Sequence, residues 1–412
     1  MQSLEVVEIC AGAGGQALGL EKAGFKHRLA VELDVNASAT LRKNLRSDVV
    51  ATGDVADPSV WAPMEHIGVS LLAGGVPCPP FSIAGKQLGA NDERDLFAWA
   101  VELCDVVMPR ALMLENVRGL SMPRFAGYRQ HVLDRLTDMG YVAEWRLLQA
   151  SDFGVPQLRP RFVLVALQNK YAPYFAWPEP AGAAPTVGET LKDLMAADGW
   201  EGAEEWAAKA NGIAPTIVGG SKKHGGADLG PTRAKRAWAE LGVDAMGVAD
   251  APPQPGDQFK VGPKLTCEMV ARIQGWHDGE WIFEGRKTSR YRQIGNAFPP
   301  PVAEAIGRRI KAALNMEGEI RDRKIQTDQN PLYRALRESG EYMTHRQLEK
   351  AVGRTLQTYE LERAIADLRR DFEVETRDGS SIAYKLGSIK AFTGQDDHLR
   401  HELFMKHRAK IS

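Results

Sequence analysis

A single cysteine, Cys78, stands among prolines in GGVPCPPFSIAGKQ, Gly74 to Gln87, at the end of an apolar run. A proline-locked turn fixes φ on both sides of it and holds the thiol in one direction. That suits a nucleophile that must be presented, and it equally suits a buried turn. Other reactive groups sit at similar places. LMLENVRGL presents Glu115 at the tip of an apolar strand, and FGVPQLRPRFVLVAL sets Gln157, Arg159 and Arg161 just before another. Arg159 and Arg161 point to the same face of an extended chain. Alone, such a pair reads slightly better as a surface ladder. With Cys78 and Glu115 it places four reactive side chains along one edge of one sheet, where open α/β folds bind ligands.

A second group of residues describes a nucleoside pocket. The first strand ends in EICAGAGGQALGLEKAGF, with Gly12, Gly14 and Gly15 at the strand-to-helix turn. Glycines there let a ligand approach the backbone and the helix N-terminus, although a tight turn alone explains them about as well. The spacing departs from GxGxxG, the pyrophosphate-binding form. Glu32 ends the next strand, where a carboxylate can take two ribose hydroxyls, and Asp54 in TGDV ends the one after. Either acid alone reads as a solvated strand end. A glycine turn followed by acids at successive strand tips has little need to neutralise phosphate, which favours S-adenosylmethionine over a dinucleotide.

The elements that must hold these residues follow from the pattern. LEVVEI, HRLAVEL, VSLLAGG, ALMLENV and RFVLVAL read as buried strands, and helical patterns alternate with them, so the first 170 residues predict a parallel sheet covered on both faces. Residues 171–262 turn rich in Gly, Pro, Ala and Trp without a sustained period. Helical segments return over 263–315, residues 317–330 read as a polar linker, and 331–412 form a compact tail. At 412 residues, 44% hydrophobic and 25% charged, the chain has material for two or three domains. No run has the length of a membrane helix, and MQSLEVVEIC lacks a signal-peptide layout. Cys10, Cys78, Cys104 and Cys267 form no CxxC pair, so the reading is a reducing cytoplasm with neither a metal site nor a disulfide framework. Residues 321–412 carry 18 Lys and Arg against 15 Asp and Glu while the whole chain is at −1, so any basic surface is local.

The motifs in their order identify the chain as resembling the DNA (cytosine-5) methyltransferases, bacterial type. AGAGG looks like their cofactor glycine loop and PCPPFS like their catalytic proline-cysteine loop. ENV, QLRPR and QIGNAFPPPVAEAIG resemble three further signature blocks, and LTCEMVARIQGW the block between. The match covers about residues 4–315 and leaves the tail out. It implies an α/β fold with a Rossmann-like S-adenosylmethionine-dependent sheet, an inserted irregular target-recognition domain over 171–262, and an additional C-terminal module.

The resemblance also assigns roles. Cys78 as thiolate would add to carbon 6 of cytosine and make carbon 5 nucleophilic. A free cysteine titrates near about 8.5, so the site must stabilise the thiolate or remove its proton on attack. Glu115 would hold the ring nitrogen and amino group, Arg161 the ring carbonyl, and Arg159 would support Glu115 or a phosphate. The cytosine must leave the duplex to reach them. The implied cofactor pocket draws on Cys10, Ala11 and the three glycines, then on Glu32 and Leu33, Asp54 and Val55. Pro77, Leu96, Asn296 and Ala297 complete it. Relatives usually carry aromatics at the positions of Cys10 and Leu33 to sandwich the adenine. Here Cys10 is expected as pocket wall, not nucleophile, with Val55 able to supply the adenine contact. Cys104 and Cys267 are expected in the core.

Double-stranded DNA is the implied partner. Ser82 and Lys86 follow Cys78 in a loop able to reach phosphate. GGSKKHGGADLGPTRAKR, in the recognition region, carries Lys222, Lys223, Arg233, Lys235 and Arg236 against Asp228 alone, which suits phosphate and groove contact. The tail reads as three helices and a hairpin, with a Thr344/Gln347 capping box, and suggests a winged-helix module. DNA contact through Arg363, Arg369 or Arg370, docking, dimerisation or control of transcription are open alternatives for it. The expected protein is a bacterial, nucleoid-associated methyltransferase, monomer or dimer, with a restriction endonuclease as its counterpart. An RNA cytosine-5 methyltransferase, and a DNA-binding regulator with a methyltransferase body, are the competing readings.

Overall fold

The computed structural model describes residues 3–77, 96–220, 226–321, 331–379 and 381–389. Cys78, Ser82, Lys86, Lys222 and Lys223 lie outside the described residues. Seven strands form one sheet: β1 (Glu5–Ile9), β2 (Lys26–Glu32), β3 (Val50–Thr52), β4 (Leu71–Gly74), β5 (Ala111–Val117), β6 (Tyr141–Gln149) and β8 (Pro160–Gln168), the short β7 (Gln157–Leu158) intervening. Their order is β3-β2-β1-β4-β5-β8-β6. β1 to β5 are mutually parallel, but β8 runs antiparallel to both neighbours. The all-parallel expectation is corrected here. The link from β6 to β8 is too short for a crossover helix, so the chain can only turn back.

Side chains alternate between the two sheet faces. Val6, Leu71, Ala73 and Met113 pack with Leu20 of α1 (Gly15–Ala23) and Ile306 and Ile310 of α10 (Pro300–Leu314). Val7, Ile9, Leu72, Leu112 and Leu114 face the opposite way, against α3 (Leu96–Val107) and α4 (Ala126–Asp138). Prolines at the start of α10 fit its first turn, where no amide partner is lost. Cys104 and Cys267 are buried as expected.

The region 171–262 is less irregular than its composition suggests. It holds α5 (Val187–Ala196), α6 (Ala203–Lys209), α7 (Thr232–Glu240) and β9 (Ala214–Pro215), which pairs with β7. Trp206 and Trp238 share one buried cluster with α8 (Cys267–Ile273) and α9 (Lys287–Asn296). Its first residues, Tyr171 to Trp177, pack instead on the central sheet.

Beyond it, α11 (Pro331–Ser339), β10 (Met343–Thr344), α12 (His345–Val352), α13 (Thr358–Asp371), β11 (Phe372–Arg377) and β12 (Ala383–Ile389) form a three-helix unit with a sheet ordered β10-β12-β11. The Thr344 N–H donates to Gln347 Oε1 at 2.8 Å, completing the capping-box contact. This unit docks on α4. Tyr333 donates to Asp134 Oδ2 at 2.7 Å, Arg337 reaches Asp138 at 2.9 Å, and Phe372 lies edge-on to His131. Leu332, Leu336, Leu361 and Ile365 join the same apolar cluster as α3 and α4. Among the described residues, no helix is long and apolar enough to cross a membrane.

Candidate active site at the carboxyl ends of the strands

A cavity of about 880 Å³ opens where β1, β2, β4 and β5 end, within the range of small-molecule sites. Of the residues expected around a cofactor, Cys10, Ala11, Gly12, Gly15, Glu32, Leu33, Asp54, Val55, Pro77, Leu96, Asn296 and Ala297 all line it. Gly14 does not. It caps α1 at φ +90°, and a Cβ there would lie 2.3 Å from the Trp281 ring, whose indole donates to Ala13 O at 2.8 Å. Its part is to turn the backbone. At Gly12, φ is +56° and a Cβ would meet nothing within 4 Å, so the loop is open on the cavity side.

The walls are acidic. Glu32 accepts from Gly12 N and Asp34 N, both at 2.7 Å, which ties the glycine turn to the start of α2 (Val35–Asn44). Burial pushes its pKa up against those two hydrogen bonds. Asp54, Asp34 and Glu115 add carboxyl groups to the lining, with Arg292 as the cation among them. Glu8, which none of the sequence motifs marks, also lines the cavity. It is fully buried in β1, accepts from Gln16 Nε2 at 3.3 Å and meets His27 Nε2 at 2.9 Å. The signal was available: a charged residue inside the apolar run LEVVEI. Gly220, Ser289 and Phe298 are further wall residues that composition did not mark.

Cys10 keeps its proton. Burial and the carboxylates of Glu32, Asp54 and Glu8 push its pKa strongly upward, so it serves as wall. Glu115 and Arg161 meet at the far side, Oε1 to Nε 2.5 Å, with side chains about one-tenth exposed. Burial raises the Glu115 pKa against the opposing charges of Arg161 and Arg159. Asn116 Nδ2 donates to Val76 O at 3.1 Å, fixing the strand tip to the segment Gly75–Pro77 that leads into Cys78.

Arg159 is placed otherwise than expected. Its guanidinium is fully buried and donates to Ile217 O and Gly295 O at 2.8 Å and to Ala297 O at 3.0 Å. These bonds engage both terminal nitrogens with backbone carbonyls, while Nε is buried without a partner among the described residues. No hydrogen bond joins it to Glu115 among the described residues, although its charge acts on that carboxyl. Of the basic residues expected to meet DNA, Arg233 and Arg236 are exposed on α7, while Lys235 pairs with Asp228 at 3.1 Å.

These features fit S-adenosylmethionine. An open glycine backbone, a buried carboxylate at the β2 tip and an acidic lining suit an adenosine that carries a cationic sulfonium.

The comparisons agree with this geometry. The family model for C-5 cytosine-specific DNA methylases matches residues 4–312. The chain is 88% identical over its full length, and that of the relative, to the Type II methyltransferase M.NaeI of Lentzea aerocolonigenes. It is 50% identical to M.NgoMIV of Neisseria gonorrhoeae across 76% of this chain and 98% of that one. The solved structure of the Entamoeba histolytica methyltransferase EhMeth aligns with 77% of this chain and all of its own at a TM-score of 0.53 and 13% identity, a likeness of fold.

Proposed function

From the premise that the chain belongs to the C-5 cytosine-specific DNA methylases, we infer how its residues divide the work. The protein is a DNA (cytosine-5) methyltransferase, and it uses S-adenosylmethionine, which supplies a methyl group on a positively charged sulfur. Cys78 is the nucleophile. Its thiolate adds to carbon 6 of a cytosine turned out of the duplex, while Glu115 gives a proton to the ring nitrogen. The electron pair then resides at carbon 5, which accepts the methyl group. Loss of the carbon 5 proton, departure of Cys78 as thiolate and return of the ring-nitrogen proton to Glu115 restore the aromatic ring, the methyl donor leaving as neutral S-adenosylhomocysteine. Arg161 holds the ring carbonyl and keeps Glu115 in place.

The observation that carries this reading is the buried Glu115–Arg161 pair beside Gly75–Pro77, on the rim of the acidic cavity. A carboxyl whose pKa is raised by burial is suited to donate a proton near neutral pH. With Cys78→Ser, turnover should vanish while cofactor binding persists. The covalent adduct with duplex DNA containing 5-fluorocytosine, whose fluorine blocks the final elimination, should also disappear. An adduct that survives in this variant assigns the nucleophile elsewhere.

Residues 171–262 are the target-recognition region in this reading, and the exposed Arg233 and Arg236 on α7 support it, with Lys222 and Lys223 on the same stretch of sequence. Residues 331–389 run helix, strand, helix, helix, strand, strand, an order that supports a winged-helix module. The Type II names of the relatives support a place in a bacterial restriction-modification system, cytoplasmic, with an endonuclease of the same site as counterpart.

A further inference from the structure

One buried junction connects the helix that carries the exposed arginines to the wall of the cofactor cavity. The Tyr291 hydroxyl, fully buried in α9, lies 3.0 Å from Val218 O and 2.5 Å from Asp228 O. A single phenol therefore sits between two points of the recognition region ten positions apart in sequence, its one proton shared between them and Asp228 O the nearer. Outward from it, the Asp228 carboxylate accepts from Lys235 of α7 at 3.1 Å, so α7 is tied to the same node. Inward from it, the same helix presents Arg292, Gln293 and Asn296 to the cavity.

The backbones around Tyr291 are in close contact. A Cβ at Gly219 would lie 2.4 Å from Asn296 Oδ1, and one at Gly295 would lie 2.7 Å from the Gly219 Cα. Asn296 Nδ2 donates to Gly220 O at 3.2 Å, and Gly220 itself lines the cavity. Arg159 bridges Ile217 O to Gly295 O and Ala297 O. Packing this close does not deform gradually, so a shift of the recognition segment displaces the cavity wall as well.

We propose that Tyr291 is a positioning residue that couples DNA engagement at α7 to cofactor binding. The inference rests on the reading of α7 as a DNA-contacting element. Because coupling is reciprocal, DNA tightens the cofactor site by the factor by which cofactor tightens DNA. Tyr291→Phe removes only the hydroxyl and leaves the ring in its buried place.

The test uses the full chain, S-adenosylhomocysteine as probe, and an unmethylated duplex bearing a site mapped by bisulfite sequencing of plasmid methylated in vivo. In the unsubstituted protein the duplex should tighten probe binding by on the order of tenfold, read by titration calorimetry. In Tyr291→Phe the affinity for probe alone should hold within about twofold while the DNA-induced tightening falls to about twofold or less. Asp228→Asn, which breaks the Lys235 link and keeps the phenol, should lower the tightening in the same direction. Tightening that is absent in the unsubstituted protein, or undiminished in both variants, overturns the proposal. Arg233→Ala and Arg236→Ala address the premise separately. Unchanged duplex affinity and salt dependence in both would remove α7 from the DNA interface, whereas weakened duplex binding with intact linkage in Tyr291→Phe would defeat the coupling alone.

Discussion

Glu115 and Glu32 are both buried carboxyl groups on the same cavity, yet their neighbours give them different work. Glu32 accepts from two backbone amides at 2.7 Å, so its oxygens belong to the glycine turn and the ribose side of the site. Glu115 faces a guanidinium and the segment before Cys78, which is why the proposed mechanism gives it to the base. Glu32→Ala should therefore weaken cofactor binding by roughly 1.5–3 kcal/mol, the worth of a hydrogen bond to a charged group. Glu115→Gln, which keeps the shape and has no carboxyl proton to give, should lower the turnover rate roughly a hundredfold to ten-thousandfold with cofactor affinity little changed. Titration calorimetry paired with single-turnover rates separates the two effects, and a reversed pattern sinks the assignment. The sequence made most of this wall legible because motif residues fall at strand ends, where the fold collects them. Arg159 was misread for a physical reason. Alternation along an extended chain predicts two arginines on one face, but Arg159 stands between β7 and β8 and turns its terminal nitrogens to carbonyls far away in sequence. Gly14 misled in a similar way, since a glycine can be required by a ring packed against it as well as by a ligand.

Among the elements, strands buried on both faces announced themselves as continuous apolar runs. β6 did not. Its sequence YVAEWRLLQ mixes charges into an edge strand that has only one paired neighbour, so no clean period survives. The helices of 171–262 are also hidden by a composition without a sustained period, although the α5 sequence carries a capping box in which Thr186 N–H donates to Glu189 Oε2 at 2.7 Å. The contact between α4 and the C-terminal unit has a consequence in pH. His131 lies at that contact, and burial, with Arg337 and Arg135 near it, pushes its pKa down to about 3. In the unfolded chain an imidazole titrates near about 6.5, so protons favour unfolding below that value. The stabilisation is whole above about 6.5 and is lost progressively as pH falls toward 3, by about 2 kcal/mol at pH 5. Protection of the α11 and α13 amides, taken as the base-catalysed rate of the free amide at each pH divided by the measured exchange rate, should thus fall between pH 7 and pH 5, and His131→Gln should flatten that dependence. An equally steep response in His131→Gln would place the proton on another group.

At the scale of the molecule, the family match ends at residue 312, and 98% of the Neisseria relative is matched by 76% of this chain. The C-terminal unit is therefore an addition to a methyltransferase body, but it is not loosely tethered, since its core is continuous with that of α3 and α4. Deleting it would strip the cover from α4, so point variants on the full chain are the informative test. Leu361, Ile365 and Leu368 turn inward on α13, whereas Tyr359 is 69% exposed and Arg363 stands on the outer side with it. If α13 lies on DNA, as the winged-helix reading implies, these two side chains meet the groove or its phosphates. Tyr359→Ala combined with Arg363→Ala should then weaken DNA binding and leave the methylated site unchanged, since the proposed reading assigns site choice to 171–262. The salt dependence of binding should fall by about one unit for each phosphate that the protein no longer neutralises. Filter binding across a salt series and bisulfite sequencing read the two parts. Unchanged affinity and slope, together with a dimer that becomes a monomer in sedimentation, would make the outer face of α13 an assembly surface instead.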